Sequence, residues 1–391
     1  MKNQERPYKV CIVTTTRADW GLLQPLAGEL KRNPHIDLAI VASNMHLMEE
    51  FGMTVTEISD AGFDIAGKVD MRVDGDDEIS RAKAMARCLG GMAEEFGRLS
   101  PDALIILGDR YEMLAVASAA AVMHIPVVHI AGGEISEGAN DDSFRHAITK
   151  LSHLHLTATE PYRRRVIQMG EEPDRVFNTG AIGVWNATHI EPCSLSELES
   201  FLGMQLAGES VAVVTYHPAT NDTSLAPGVA MDEFLAALDD FPELKYVITY
   251  PNNDAGGTGL IGQIRAFADS RQGRVCAVPS LGMRRYHSLL RHARMVIGNS
   301  SSGIVEVPSY GIPTVDVGIR QRGRIAADSV IHCGADRTSV SRAIGRALVM
   351  DCRGVVNPYG RPDTLAAMTD AVTGFLESLP VSPKHFHDLN I

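Results

Sequence analysis

The chain has 391 residues, enough for two ordinary cores, and its 45% hydrophobic and 21% charged residues are the profile of a globular protein. A formal charge of −12 argues against a general nucleic-acid or membrane surface, so an anionic ligand would need a local cationic pocket. The opening "MKNQERPYKVCIVTTT" has no signal-peptide core, and no window offers a membrane-spanning run of about 18 apolar residues; a cytoplasmic location is expected.

From the first residues onward, near-continuous apolar runs ended by Gly, Ser or Asp predict buried parallel strands: "YKVCIVTTT", "DLAIVAS", "DALIILGD" and "PVVHIAGG". Helical stretches such as "DWGLLQPLAGELKRN" and "EISRAKAMARCLGGMAEEFGRL" alternate with them. The second half repeats the rhythm with "SVAVVTYHP", "KYVITYPN", "ARMVIGNSS" and "TVDVG". An α/β protein of two doubly wound, Rossmann-like domains is expected, over 1–190 and 191–375, with a tail over 376–391. The join is placed near 185–200, around "GVWNATHIEPCSLSE", and the last helix, "LAAMTDAVTGFLESL", has an apolar face that fits either domain. Ligands of such sheets sit beyond the carboxyl ends of the strands, so two domains facing each other would line one central cleft. The six cysteines have no metal-ligand spacing and read as free thiols.

The chemistry-bearing residues gather at those strand ends. "TTTRADWG" sets Thr15, Thr16, Arg17 and Asp19 at the first; Arg17 suits a phosphate, while Asp19 also fits a helix cap. "LGDRYEML" supplies Asp109, Arg110 and Glu112. "HIAGGEISEGANDDSFRHAITK" crowds Glu134, Glu137, Asp141, Asp142, Arg145 and His146 behind a glycine pair. Carboxyl groups this close push each other's proton affinities apart, so that one accepts a proton and another donates it. In the second half, "TYHPAT" presents His217, "TYPNNDAGG" Asn252 and Asp254, and "GIRQRGR" a patch of Arg320, Arg322 and Arg324. "GNSSSGIVEV" follows a strand with small residues that let backbone N–H groups approach an anion. Ser300 and Ser301 add hydroxyl donors, and Glu306 could accept from a ribose diol. Walker A, HExxH and GxSxG patterns do not stand out, and nicotinamide chemistry is not expected.

Taken in order, "TTTRADWG", "LGDRYEML", "HIAGGE", "DDSFRHAITKLSHLHLTATEPYRRRV", "TYHPAT", "YPNNDAG", "GNSSSGIVEV" and "GIRQRGR" make the chain resemble the hydrolysing UDP-N-acetylglucosamine 2-epimerases over residues 8 to 375. The resemblance implies a GT-B fold, UDP held mainly by the C-terminal domain, no metal and no bound nicotinamide, and a homodimer or homotetramer. It implies conversion of UDP-N-acetylglucosamine and water to N-acetylmannosamine and UDP through 2-acetamidoglucal, as in sialic-acid synthesis. Asp109, Glu134, Asp141 and His217 become acid–base candidates. Arg17, His217, Ser300, Ser301 and Arg320 are assigned to the diphosphate and Glu306 to the ribose. Arg110, Arg145, Asn252, Asp19, Gly282 and His46 complete the substrate set. Several relatives carry a carboxylate where this chain has Ala131, which leaves the choice of base open. The same reaction on UDP-2,4-diacetamido-2,4,6-trideoxyglucose, the legionaminic-acid type, is the alternative. A GT-B glycosyltransferase would need only one base, and a silent nucleotide-sugar sensor would need neither Asp109 nor Asp141.

Overall fold

The computed structural model describes residues 6–72, 74–75, 77–219, 225–251, 257–380 and 383–389. Its strands form two wholly parallel sheets. In the first, β1 (Tyr8–Thr14), β2 (Ile36–Ser43), β3 (Ile65–Val69), β4 (Ala103–Leu107), β5 (Val127–Ile130), β6 (Leu154–Thr157) and β7 (Val176–Asn178) lie in the order β3-β2-β1-β4-β5-β6-β7. In the second, β8 (Ser210–Thr215), β9 (Leu244–Thr249), β10 (Val275–Val278), β11 (Ala293–Gly298), β12 (Thr314–Val317) and β13 (Val330–Cys333) lie in the order β10-β9-β8-β11-β12-β13.

Burial of both faces explains why these strands read as unbroken apolar runs. Val10 and Ile12 of β1 enter one core with Trp20, Leu23 and Leu26, whereas Cys11 and Val13 enter the opposite core with Met92 and Phe96. The same alternation sends Ala212 and Val214 of β8 to one side of the second sheet and Val211 and Val213 to the other.

Winding reverses between β1 and β4 in the first sheet and between β8 and β11 in the second. Crevices for ligands open at such reversal points. The fold therefore sets "TTTRADWG" beside "LGDRYEML" and "TYHPAT" beside "GNSSSG".

Two compact units result. One takes the chain up to Glu134, Asp141–Trp185 and everything from Arg361 on; the other takes Ile135–Asn140 and Asn186–Gly360. Helix Thr364–Glu377 joins the first because Leu365, Met368, Val372, Phe375 and Leu376 form a stripe that fills the Trp20 core. Each such side chain contributes about 1.5–3 kcal/mol of burial. Within the second unit, Glu137 N–H donates to the Arg322 carbonyl at 3.0 Å, and a Cβ on Gly138 would strike the backbone of Ile319. Among the described residues no helix is long and apolar enough to cross a membrane.

Candidate active site

In the first unit the strand ends are strained and charged. Asn44, just past β2, and Ala131, just past β5, have φ of 47° and 67°, values that side-chain-bearing residues rarely adopt. Strain of this kind collects at functional sites. Gly133 needs its φ of 80°, because any Cβ there would strike the Tyr162 carbonyl.

Arg145, on helix Asp141–Leu151, is the hub. It is only 1% exposed, yet its guanidinium pairs with Asp109 and Asp142 and donates to the Glu134 carbonyl at 3.0 Å. Burial alone would make the arginine easier to deprotonate; Asp109 first, then Asp142 and Asp141, more than offset that and raise its pKa. Asp109 retains 21% exposure, so a carboxylate oriented by a buried cation still meets solvent. Glu134 is buried, at 5%. Arg145 thus gathers the Asp109 and Asp142 carboxylates and the Glu134 backbone, which brings the ends of β4 and β5 and the start of one helix together.

His129 was not among the expected site residues, and Glu112 was placed at its strand end without a role. His129 Nε2 lies 2.8 Å from the carbonyl of Gly108, the residue before Asp109, and its Nδ1 lies 3.3 Å from Thr149 Oγ1. Burial drives its pKa down to about 3, so the ring stays neutral. The polar residue inside "VVHI" was the available signal. Glu112, with no exposed surface, accepts from Arg110 Nε at 2.6 Å and Asn44 Nδ2 at 2.8 Å, which ties the ends of β2 and β4 together.

At the β1 tip, the Asp19 carboxylate accepts from Thr16 N at 2.6 Å and Thr15 N at 2.8 Å while Thr16 Oγ1 accepts from Asp19 N at 3.2 Å. This capping box occupies both carboxylate oxygens, so Asp19 shapes the turn and is not turned out toward a ligand. Arg17 opens the same helix, half-buried, its pKa lowered by burial and partly restored by Glu57. His46 is fully buried between Thr14 Oγ1 at 3.0 Å and Thr54 Oγ1 at 2.9 Å; burial lowers its pKa, and both ring nitrogens are engaged. It braces the strand tip.

The second unit builds its strand ends from amides and hydroxyls. Asn299 clamps His217 at both backbone positions, accepting from its N–H at 2.7 Å and donating to its carbonyl at 2.8 Å. In turn Arg320 Nη1 at 3.2 Å and Gln321 Nε2 at 2.7 Å donate to the Asn299 carbonyl. Gly298, at φ 138°, must be glycine, since a Cβ would collide with the Thr215 carbonyl of the neighbouring strand. The helix that follows is only Ser301–Val305 before the 3-10 turn Val307–Tyr310, as Pro308 requires. So short a helix has little dipole, and anion affinity here would rest on the turn's N–H groups and serine hydroxyls. Glu306 closes it and accepts from Ser302 Oγ at 2.6 Å. Gly282, at φ 66°, opens helix Gly282–Leu290. Of the arginine patch, Arg322 pairs with Glu137 at 3.1 Å. Asn252 and Asp254 lie outside the described residues.

"GTGLIG" at 257–262 does match the dinucleotide pattern, contrary to the expectation of no nicotinamide signature. It nonetheless lies within helix Gly257–Asp269, and a Cβ added to Gly259 or Gly262 would meet nothing within 4 Å. The dinucleotide pattern needs its first glycines in the turn between strand and helix, and here they already lie inside the helix.

Comparison with known proteins gives a consistent result. A family model described as UDP-N-acetylglucosamine 2-epimerase matches residues 28–373. The chain is 38% identical over 323 residues to a GDP/UDP-N,N'-diacetylbacillosamine 2-epimerase (hydrolyzing) of Campylobacter jejuni, 83% of each chain. It is 32% identical over 386 residues, 97% of each chain, to the polysialic acid biosynthesis protein P7 of Escherichia coli. The crystal structure of UDP-GlcNAc 2-epimerase from Neisseria meningitidis bound to UDP-GlcNAc superposes with a TM-score of 0.76 over 94% of this chain and 100% of that one; at 16% identity this speaks for the fold, the expected GT-B class. The chain belongs to the UDP-N-acetylglucosamine 2-epimerase family.

Proposed function

We propose that the protein is a hydrolysing 2-epimerase converting UDP-N-acetylglucosamine and water to N-acetylmannosamine and UDP. The observation that carries this reading is the buried Arg145 with Asp109 and Asp142 on its guanidinium and the Glu134 carbonyl beside them. A binding protein or a simple transferase has little use for such a costly cluster of ionisable groups.

In this reading a carboxylate of the cluster takes the proton from C2 while the C1–O bond to UDP breaks, leaving the C1=C2 double bond of 2-acetamidoglucal. Water then adds its oxygen to C1, and a second acid group delivers a proton to the opposite face of C2, inverting that centre. Asp109, Glu134 and Asp141 share these transfers. Arg145 fixes Asp109, and Arg110, steadied by Glu112, contacts the sugar. His217, Arg17, Ser300, Ser301 and Arg320 meet the diphosphate, whose departure demands charge stabilisation, and Glu306 takes the ribose. A cytoplasmic homodimer or homotetramer goes with this reading.

The relative from Campylobacter favours a second substrate, the 2,4-diacetamido-2,4,6-trideoxy sugar nucleotide. Incubation with each nucleotide sugar in heavy water tests both readings. Free N-acetylmannosamine carrying deuterium at C2 supports the first; turnover of the diacetamido sugar alone transfers the reaction to the second. UDP-sugar recovered intact in both, with no UDP formed, overturns hydrolysis.

A further inference from the structure

The geometry points to Tyr286 as a positioning residue that sets a preference for ribonucleotides, acting through Ser302 on Glu306. The inference rests on the reading of Glu306 as the ribose-binding carboxylate.

All three residues belong to the second unit. Tyr286 Oη lies 2.6 Å from Ser302 Oγ, which donates to Glu306 Oε2 at 2.6 Å. A serine hydroxyl has one hydrogen, and here the carboxylate receives it. The hydrogen between Tyr286 and Ser302 is therefore the tyrosine's, so the relay runs Tyr286 to Ser302 to Glu306. Burial, then the Glu306 charge, raises the Tyr286 pKa, which keeps that donor protonated at every working pH.

The tyrosine is itself anchored. Its ring packs edge-on against His287, with centroids 5.6 Å apart, and His287 Nδ1 is 2.7 Å from Tyr310 Oη. Glu306 is held at both ends by one serine, because its N–H also donates to the Ser302 carbonyl at 2.9 Å. Among the described residues no hydrogen bond reaches Oε1. A carboxylate with one oxygen pinned and the other open can accept from two neighbouring hydroxyls at once, as a ribose diol presents them. A 2′-deoxyribose offers only one. Chained hydrogen bonds polarise one another, so loss of the tyrosine hydroxyl loosens the carboxylate without removing its charge.

The test is calorimetric binding of UDP and 2′-deoxy-UDP to the full-length protein and to Tyr286→Phe, Ser302→Ala and Glu306→Gln variants. The parent should favour UDP about tenfold, equivalent to about 1.4 kcal/mol. Tyr286→Phe and Ser302→Ala should each cut that ratio to about threefold or less by weakening UDP alone, and combining them should add little. In turnover the loss should fall on KM more than on kcat. Equal weakening of both nucleotides, or an unchanged ratio in Tyr286→Phe and Ser302→Ala while Glu306→Gln abolishes it, overturns the relay. An unchanged ratio in Glu306→Gln overturns the ribose reading itself.

Discussion

The two sheets end in opposite chemistries. At the reversal point of the first and the strand ends beside it, carboxylates pair with a buried arginine and two non-glycine residues, Asn44 and Ala131, sit at positive φ. At the reversal point of the second, a glycine, an asparagine amide, serine hydroxyls and backbone groups hold the turn, and the arginine there bonds a carbonyl. Proton transfer needs groups whose affinities are pushed away from their solution values, which takes burial and neighbouring charge. Holding a diphosphate needs oriented dipoles that cost little to preorganise. Under the proposed reading, the costly ionisable groups serve the proton transfers and the inexpensive dipoles of the second sheet serve most of the recognition.

That division can be broken experimentally. Asp109→Asn should lower UDP release by about 10²–10⁴-fold while leaving the UDP dissociation constant within about twofold; activity surviving within about tenfold would end the acid–base assignment. Arg145→Ala leaves Asp109 and Asp142 without their buried cation, so urea denaturation should show a loss of about 3–5 kcal/mol. A loss under about 1 kcal/mol would mean the cluster is not a structural hub.

The pH dependence of stability sharpens the comparison. His129 and His153 have folded-state pKa values of about 3 and about 4, against 6.5 for the free side chain, in both cases because burial disfavours the charged ring. The unfolded chain binds these protons and the folded one refuses them. Their stabilisation is complete above pH 6.5 and is lost as pH falls through 6.5 toward 3–4. Denaturation between pH 7 and 4 should show proton uptake on unfolding and a stability loss on the order of a few kcal/mol. His332 in the second unit has the opposite sign, raised by Asp316, so it stabilises below its free value and fades as pH rises. Flat stability over that range would contradict the burial of the first unit's histidines.

The smallest effects come as a matched pair. Ser301→Ala should weaken UDP binding up to about tenfold with stability unchanged, as loss of one hydrogen bond to a charged group predicts. Asp19→Ala should do the reverse, costing about 1–2 kcal/mol of stability through its capping box and leaving UDP affinity nearly intact. If Asp19→Ala instead abolished binding with stability intact, the residue would belong with the ligand after all.

Much of this is legible in the chain. Strands buried on both faces announce themselves as apolar runs, and a residue placed just past such a run must lie at a carboxyl end, which is what singles out Asp109, Glu134, His217 and Ser300. Asp19 is ambiguous in sequence because one short carboxylate serves equally for a ligand or for two threonine N–H groups. Glu137 looks like its neighbours Glu134 and Asp141, yet residues 135–140 pack with the second unit and it pairs with Arg322. The glycines at 257–262 show the converse: correct spacing placed inside a helix.

The sequence by itself determined the alternation of strand and helix, the two doubly wound sheets and the strand ends that would carry charge, because hydrophobic periodicity and turn chemistry act between residues close in the chain. Only the tertiary structure decided that Arg145 reaches Asp109 across 36 positions, that His129 holds the carbonyl before Asp109, and that helix Thr364–Glu377 returns to the first core. Those partners are chosen by which strands become neighbours and by which buried charge must find its opposite, and neither is written in local spacing.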